Sequence, residues 1–194
     1  MALDVLGNAV SVPAVSVRAM SADAEPRAEM PFMPDYGVRA ETWEPLPWSW
    51  AANRLGAGRN FWVVTVSGAG RPHALPVWGV WHDGEHRFAF SCAPRSRKAR
   101  NIAVNPQVVV ATDDTVECVS VEGRATVVTD DGRREEWARR YVEKYRAHSP
   151  EISTDFVLAH LVVEVEPDRA LAVIEREEDF ATRPTRWRFA SSDG

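Results

Sequence analysis

Phe61-Trp62-Val63-Val64-Thr65-Val66-Ser67, then Gly68-Ala69-Gly70, then Arg71-Pro72-His73-Ala74-Leu75-Pro76-Val77-Trp78-Gly79-Val80-Trp81, is the stretch that decides the fold. The first run is β-branched and aromatic and too short for a helix, the glycines turn the chain, and the second run is again extended. Glu85 to Cys92 reads as a third strand, joined to the second by Asp83-Gly84, a pair suited to a two-residue type I′ hairpin turn.

Working outward, the same reading gives strands at Gln107 to Thr112, Thr115 to Val128 (with Gly123 as a bulge), Phe156 to Val165 and Ala170 to Glu175. Thr185, Trp187 and Phe189 alternate as a short terminal strand. Three helices interrupt the strands. Leu46 to Leu55 carries Trp48, Ala51, Ala52 and Leu55 on one face, with Pro47 early and Gly56 and Gly58 ending it. Ser96 to Asn105 is short, basic and stopped by Pro106. Asp130 to Arg146 is capped by Thr129 or Asp130, and its Trp137, Tyr141 and Tyr145 form a stripe read as core. The class is α+β, mainly β, with a barrel core of about six to seven antiparallel strands and short helices. Residues 1–40 lack a sustained period and are expected as a disordered tail, and residues 41–190 as one domain.

Composition narrows the function. The chain has 194 residues, a net charge of −5 and a pI near 5.6, which excludes a whole-protein nucleic-acid footprint. No run reaches the length of a membrane span. Asp4 and Arg18 argue against a signal peptide. Cys92 and Cys118 are distant in sequence and read as reduced thiols of a cytoplasmic protein. Eight tryptophans supply flat apolar surface for cores, interfaces or planar ligands.

Two segments are chemically unusual. Pro72 and Pro76 lack the N–H that a central ladder needs, so their strand lies at an edge, at a bulge or against a ligand. Pro94-Arg95-Ser96-Arg97-Lys98-Ala99-Arg100-Asn101 crowds cations at a helix start, where they oppose the helix dipole. The run is either a solvated basic turn or the seat of an anion that accepts from Ser96, the backbone and the cationic side chains. His82 and His86 flank a turn without a third ligand, so no metal is expected. There is no nucleophile elbow, phosphate-binding P-loop or dinucleotide fingerprint.

Taken with Phe88-Ala89-Phe90, Ser96 to Ile102, Asn105-Pro106, Val121-Glu122-Gly123-Arg124-Ala125 and Thr185 to Phe189, these segments resemble the pyridoxamine-phosphate-oxidase-like split-barrel superfamily. The nearer likeness is to its deazaflavin-dependent branch. The resemblance implies a split β-barrel that works as a homodimer, with the cofactor in a groove between subunits. It implies a phosphate side at Arg95, Ser96, Arg97 and Lys98, braced by Asn101, and a ring side around His73, Pro76, Val77 and Trp78. The implied activity is a reductase using the deazaflavin coenzyme F420, acting on a small conjugated substrate. Flavin mononucleotide (FMN) in its place, or a flavin- or tetrapyrrole-binding protein without turnover, are the alternatives. No dedicated catalytic residue is assigned, because in such proteins the cofactor carries the chemistry.

Overall fold

Phe61, Val63 and Thr65 are buried while Trp62 is exposed, so the decisive stretch begins as a strand with one face in a core. The computed structural model describes residues 25–190. Its strands are β1 (Arg27–Glu29), β2 (Asn60–Val66), β3 (Pro72–His82), β4 (Arg87–Cys92), β5 (Gln107–Thr112), β6 (Glu117–Val127), β7 (Leu161–Ile174) and β8 (Thr185–Arg188). They run β1-β8-β7-β4-β3-β2-β5-β6, and a further β6–β7 pairing closes six of them into an antiparallel barrel.

Phe61, Val63, Phe88, Phe90, Val110, Val121 and Val163 fill the barrel. Helix α1 (Trp48–Ala57) buries Trp48, Ala51, Ala52 and Leu55 on that core, as the periodicity predicted. Helix α2 (Arg97–Val104) follows β4. Helix α3 (Asp131–Tyr145), capped by Asp130, forms a second core in which Trp137, Tyr141 and Tyr145 meet Val80, Ala89 and Val162.

Several expectations are corrected. Phe156 to Leu158 are helical, within α4 (Thr154–Leu158), because the Ser153 hydroxyl caps the turn by accepting from the Phe156 N–H. The expected sixth and seventh strands are one strand, β7. Pro167 does not break it because it sits at a bulge, where the β6 register shifts between Glu122 and Gly123. The irregularity falls at Gly123 as expected, but the extra residue, Asp168, is on the partner strand. Gly123 is required there, since a Cβ would overlap the Glu166 carbonyl.

The β3–β4 connection is not a two-residue turn. Asp83–Glu85 form a 3-10 turn and His86 takes a left-handed φ of 50°. The Trp81 indole holds Asp83, and the His86 ring packs against Trp48 and Phe189. The ordered chain also reaches beyond residue 41 toward the N-terminus: β1 pairs with β8, and the Glu29 carboxylate accepts from Arg188. Residues 1–24 of the expected tail lie outside the described residues. A fifth helix, α5 (Glu177–Phe180), precedes β8, and no described helix is long and apolar enough to cross a membrane.

Candidate functional site: an open strand edge beside a basic rim

Strand β3 changes partners midway. Pro72 to Trp78 pair with β2, whereas Gly79 to His82 pair with β4. From Pro72 to Trp78 the side away from β2 therefore has no neighbouring strand among the described residues. Backbone groups of alternate residues point to alternate sides of a strand. The Trp78 carbonyl, which accepts from the Tyr141 hydroxyl at 3.1 Å, marks the open side. Pro76, Ala74 and Pro72 share its direction, so the prolines forfeit no ladder bond, and Ala74 is the one residue among these three with an N–H to offer there. The first half of β3 is therefore an edge, one of the settings open to the prolines.

Helix α3 seals the point where β3 leaves β2. The Tyr145 hydroxyl sits between the strands. It accepts from the Gly79 N–H at 2.7 Å and lies 2.6 Å from the Arg59 carbonyl, to which it donates. Its one proton being committed, the Gly79 carbonyl is served by the Lys144 ammonium at 2.8 Å. The Tyr145 ring stacks on Trp78 with centroids 4.5 Å apart and planes 4° from parallel. Gly79 is needed because a Cβ would overlap the Phe88 ring. Burial pushes Lys144 down to about 8 and Tyr145 up to about 12. Tyr145 was legible only as core, and nothing in its spacing marked Lys144.

The basic rim lies where α2 meets β3. The Ser96 hydroxyl caps α2 by accepting from the Ala99 N–H at 3.2 Å. Arg97 reaches His73, its guanidinium 3.1 Å from Nδ1. Arg100 donates to the Arg95 carbonyl at 2.5 Å. Asn101 is buried and donates to the Thr65 hydroxyl at 2.9 Å, which pins α2 to β2. Among the described residues, Arg71, Arg95, Arg97, Lys98 and Arg100 have no carboxylate partner, whereas Arg54, Arg87, Arg133, Arg140, Arg169 and Arg176 do.

The nine residues singled out from sequence therefore divide. Arg97 meets His73, Arg95, Ser96 and Lys98 adjoin Arg97 at the start of α2, and Asn101 is turned inward as a brace. The four ring-side residues do not share one surface. Pro76 and Trp78 lie on the face of β3 that carries Trp62, and His73 and Val77 on the face that carries Thr65 and Phe61. Trp78 is taken up by Tyr145, and Val77 packs against the barrel core. What the four have in common is the open backbone edge itself.

His82, Glu85 and Glu136 bring ligand-type atoms within 4.8 Å of one another. Their charges are already matched: Arg133 pairs with Glu85, Glu136 and Glu164, and Arg140 lies 2.6 Å from His82 Nε2 and 3.1 Å from Glu136. This network ties the β3–β4 hairpin to α3 and β7. His82 and His86 do not face each other, because His86 lies in the aromatic cluster with Trp48.

A split antiparallel barrel with a basic rim beside an open strand edge defines the class. The model of the pyridoxamine 5'-phosphate oxidase family matches residues 52–178, well over half of the chain, and the chain belongs to that family. No curated protein sequence matches it. Among solved structures, the conserved hypothetical protein Rv2991 from Mycobacterium tuberculosis is 19% identical, with a TM-score of 0.57, covering 81% of this chain and 97% of its own. An F420 reductase is 20% identical, with a TM-score of 0.50, covering 61% of this chain and 93% of its own. A heme binding protein from Mycobacterium smegmatis is 16% identical, with a TM-score of 0.54, covering 71% of this chain and 62% of its own. At these identities the likeness is one of fold.

Proposed function

We propose that this protein is an oxidoreductase that uses the reduced deazaflavin coenzyme F420 to deliver a hydride to a small conjugated substrate. The observation that carries this reading is the adjacency of the open β3 edge to cations with no carboxylate partner. A planar ring with hydrogen-bonding edges fits along a backbone offering the Ala74 N–H and the Pro72, Ala74 and Pro76 carbonyls. An anionic tail fits Ser96, Arg97 and Lys98. F420, when bound, supplies the hydride. The chain's own task is to hold the ring against β3, with Tyr145 and Lys144 fixing the strand's course at Gly79.

The second wall of the groove comes from a second copy of the chain in this reading. The outer face of β2, β3 and β5 places Trp62, which is 44% exposed, beside Pro76 and Ala111, and Val64 beside Ala74 and Val109. Such an apolar face suits a two-fold homodimer. Sedimentation equilibrium at low micromolar concentration is expected to give the dimer mass, and a cofactor-binding monomer would contradict this arrangement.

FMN is the second reading, because the rim suits one terminal phosphate as well as a longer anion. The spare cations Arg71 and Arg100 favour the longer tail of F420. Titration of the purified protein with each cofactor at low and high salt decides between them. F420 is expected to bind more tightly at low salt and to lose affinity more steeply as salt rises. Tighter FMN binding at every salt concentration would overturn the choice. Substrate-dependent oxidation of bound, reduced F420 separates an enzyme from a carrier.

A further inference from the structure

His73 and Arg97 are an unusual pair. Both side chains ordinarily carry or attract protons, yet they meet at 3.1 Å. A guanidinium only donates, so His73 Nδ1 is the acceptor and the ring is neutral, with its proton on Nε2. The groups around it reinforce that state. Arg97 of α2 and Arg71 of the β2–β3 turn both oppose a positive charge on the ring, and its partner across β2, Thr65, carries no charge. Partial desolvation, then Arg97, then Arg71 hold the imidazole below its ordinary range. Among the described residues no carboxylate ion-pairs with His73, Arg71, Arg95, Arg97 or Lys98 to relieve the charge, whereas His82 has Glu85 and Glu136 beside it.

We infer that His73 and Arg97 form a proton-linked latch, in which a tetrahedral dianion displaces the imidazole from the guanidinium and is then held by both, with uptake of one proton by His73. This rests on the anion site of the functional reading above and adds a property to it. Before the anion arrives, one Nη1–H of Arg97 is held by Nδ1. Once an oxyanion takes that N–H in place of the ring, Nδ1 is free, and the added negative charge favours protonation there. The ring then donates to the anion. The bond formed is N–H on Nδ1, its proton comes from solvent, and no electron transfer is involved.

The sign follows from linkage. The anion raises the pKa of the imidazole, so the complex holds more protons than the free protein between the two values, and affinity rises as pH falls through that window. Each unit of that rise adds a factor of ten to the low-pH affinity, because one pKa unit is a tenfold change in the equilibrium. Sulfate is the cleanest probe, since it stays a dianion throughout and any proton taken up must be the protein's.

The test is proton NMR of the imidazole C2–H in the full chain, titrated over pH 5–9 in sulfate and in chloride at equal ionic strength. His73→Asn assigns the resonance and retains a side-chain oxygen that accepts from Arg97. The His73 titration is expected to sit at higher pH in sulfate than in chloride, with the other four histidines unmoved. Sulfate should bind at least about threefold more tightly at pH 6 than at pH 8, a ratio that falls to one in His73→Asn. Identical titrations in the two salts, or a pH-independent sulfate affinity, would overturn the latch. Repeating the measurement with FMN and with riboflavin, which lacks the phosphate, separates the sources. A shift with FMN and none with riboflavin places a cofactor phosphate on the latch. A shift with sulfate but no binding of FMN or F420 keeps the latch and removes the cofactor reading. Cofactor binding without any shift does the reverse.

Discussion

Replacing Tyr145 with phenylalanine removes one oxygen and leaves the ring, its stack on Trp78 and its volume in place. That oxygen accepts from the buried Gly79 N–H and donates to the Arg59 carbonyl, bridging two strands at the point where their ladder ends. A buried donor left without a partner costs about 1–3 kcal/mol. The part-buried bond to the Arg59 carbonyl adds about 0.5–1.5 kcal/mol, the net value of an ordinary hydrogen bond. Together these give about 1.5–4.5 kcal/mol. With a urea m-value of roughly 2 kcal/mol/M, the unfolding midpoint falls by about 1–2 M. Tyr141→Phe is the internal control. It removes the bond to the Trp78 carbonyl and a side-chain hydrogen bond with Ser91 but orphans no buried backbone N–H, so it is expected to cost less than Tyr145→Phe, about 0.5–1.5 kcal/mol for each bond. Urea unfolding of the three proteins at one fixed concentration decides the matter. A change below about 0.5 kcal/mol in Tyr145→Phe, or equal effects of the two substitutions, would refute the hydrogen-bond accounting at Gly79.

The remaining predictions follow the same logic. Lys144 is held near pKa 8 by burial, below the value of a free lysine, so the unfolded chain binds more protons between about pH 8 and 10 and stability rises with pH there. Lys144→Met, compared with the parent by urea unfolding across that window, should lose this rise, and parallel pH curves would exclude it. Gly123→Ala should destabilise more than Gly79→Ala, since the added methyl meets the Glu166 backbone in one case and the Phe88 side chain in the other. Phe88→Leu should partly rescue Gly79→Ala, and thermal denaturation of the double variant checks this. Lys98→Ala should weaken cofactor binding by about 1.5–3 kcal/mol, the range for a hydrogen bond to a charged group, read by fluorescence titration. Unchanged affinity would remove Lys98 from the site.

Much of the fold was legible because local chemistry and tertiary structure agree. The alternation of Phe61, Val63 and Thr65 against Trp62 and Val64 describes a half-buried strand wherever it packs. The apolar face of α1 and the stripe of α3 are likewise read from period alone. Where two local signals competed, the reading failed. Phe156 to Leu158 is apolar enough to open the expected strand, but the Ser153 cap won and made a helix turn. Pro167 looks like a break, but the bulge opposite Gly123 absorbs it. Asp83-Gly84 looks like a two-residue turn, but the Trp81 indole and the packing of His86 drew the connection wider.

The sequence by itself determined most of the strands, the class of the fold, the two anomalous segments and the run of cations at the start of α2. All of these depend on residues within about ten positions of one another, where propensity, capping and charge act locally. Only the tertiary structure decided that β3 changes partner at Gly79. It also placed Tyr145 and Lys144, some sixty-five residues away, at that vacancy. It showed that the prolines face an open edge, and that His73 meets Arg97 across twenty-four positions. The physical reason is that a backbone group's need for a partner is local, whereas the group that meets it is chosen by which elements the barrel brings together.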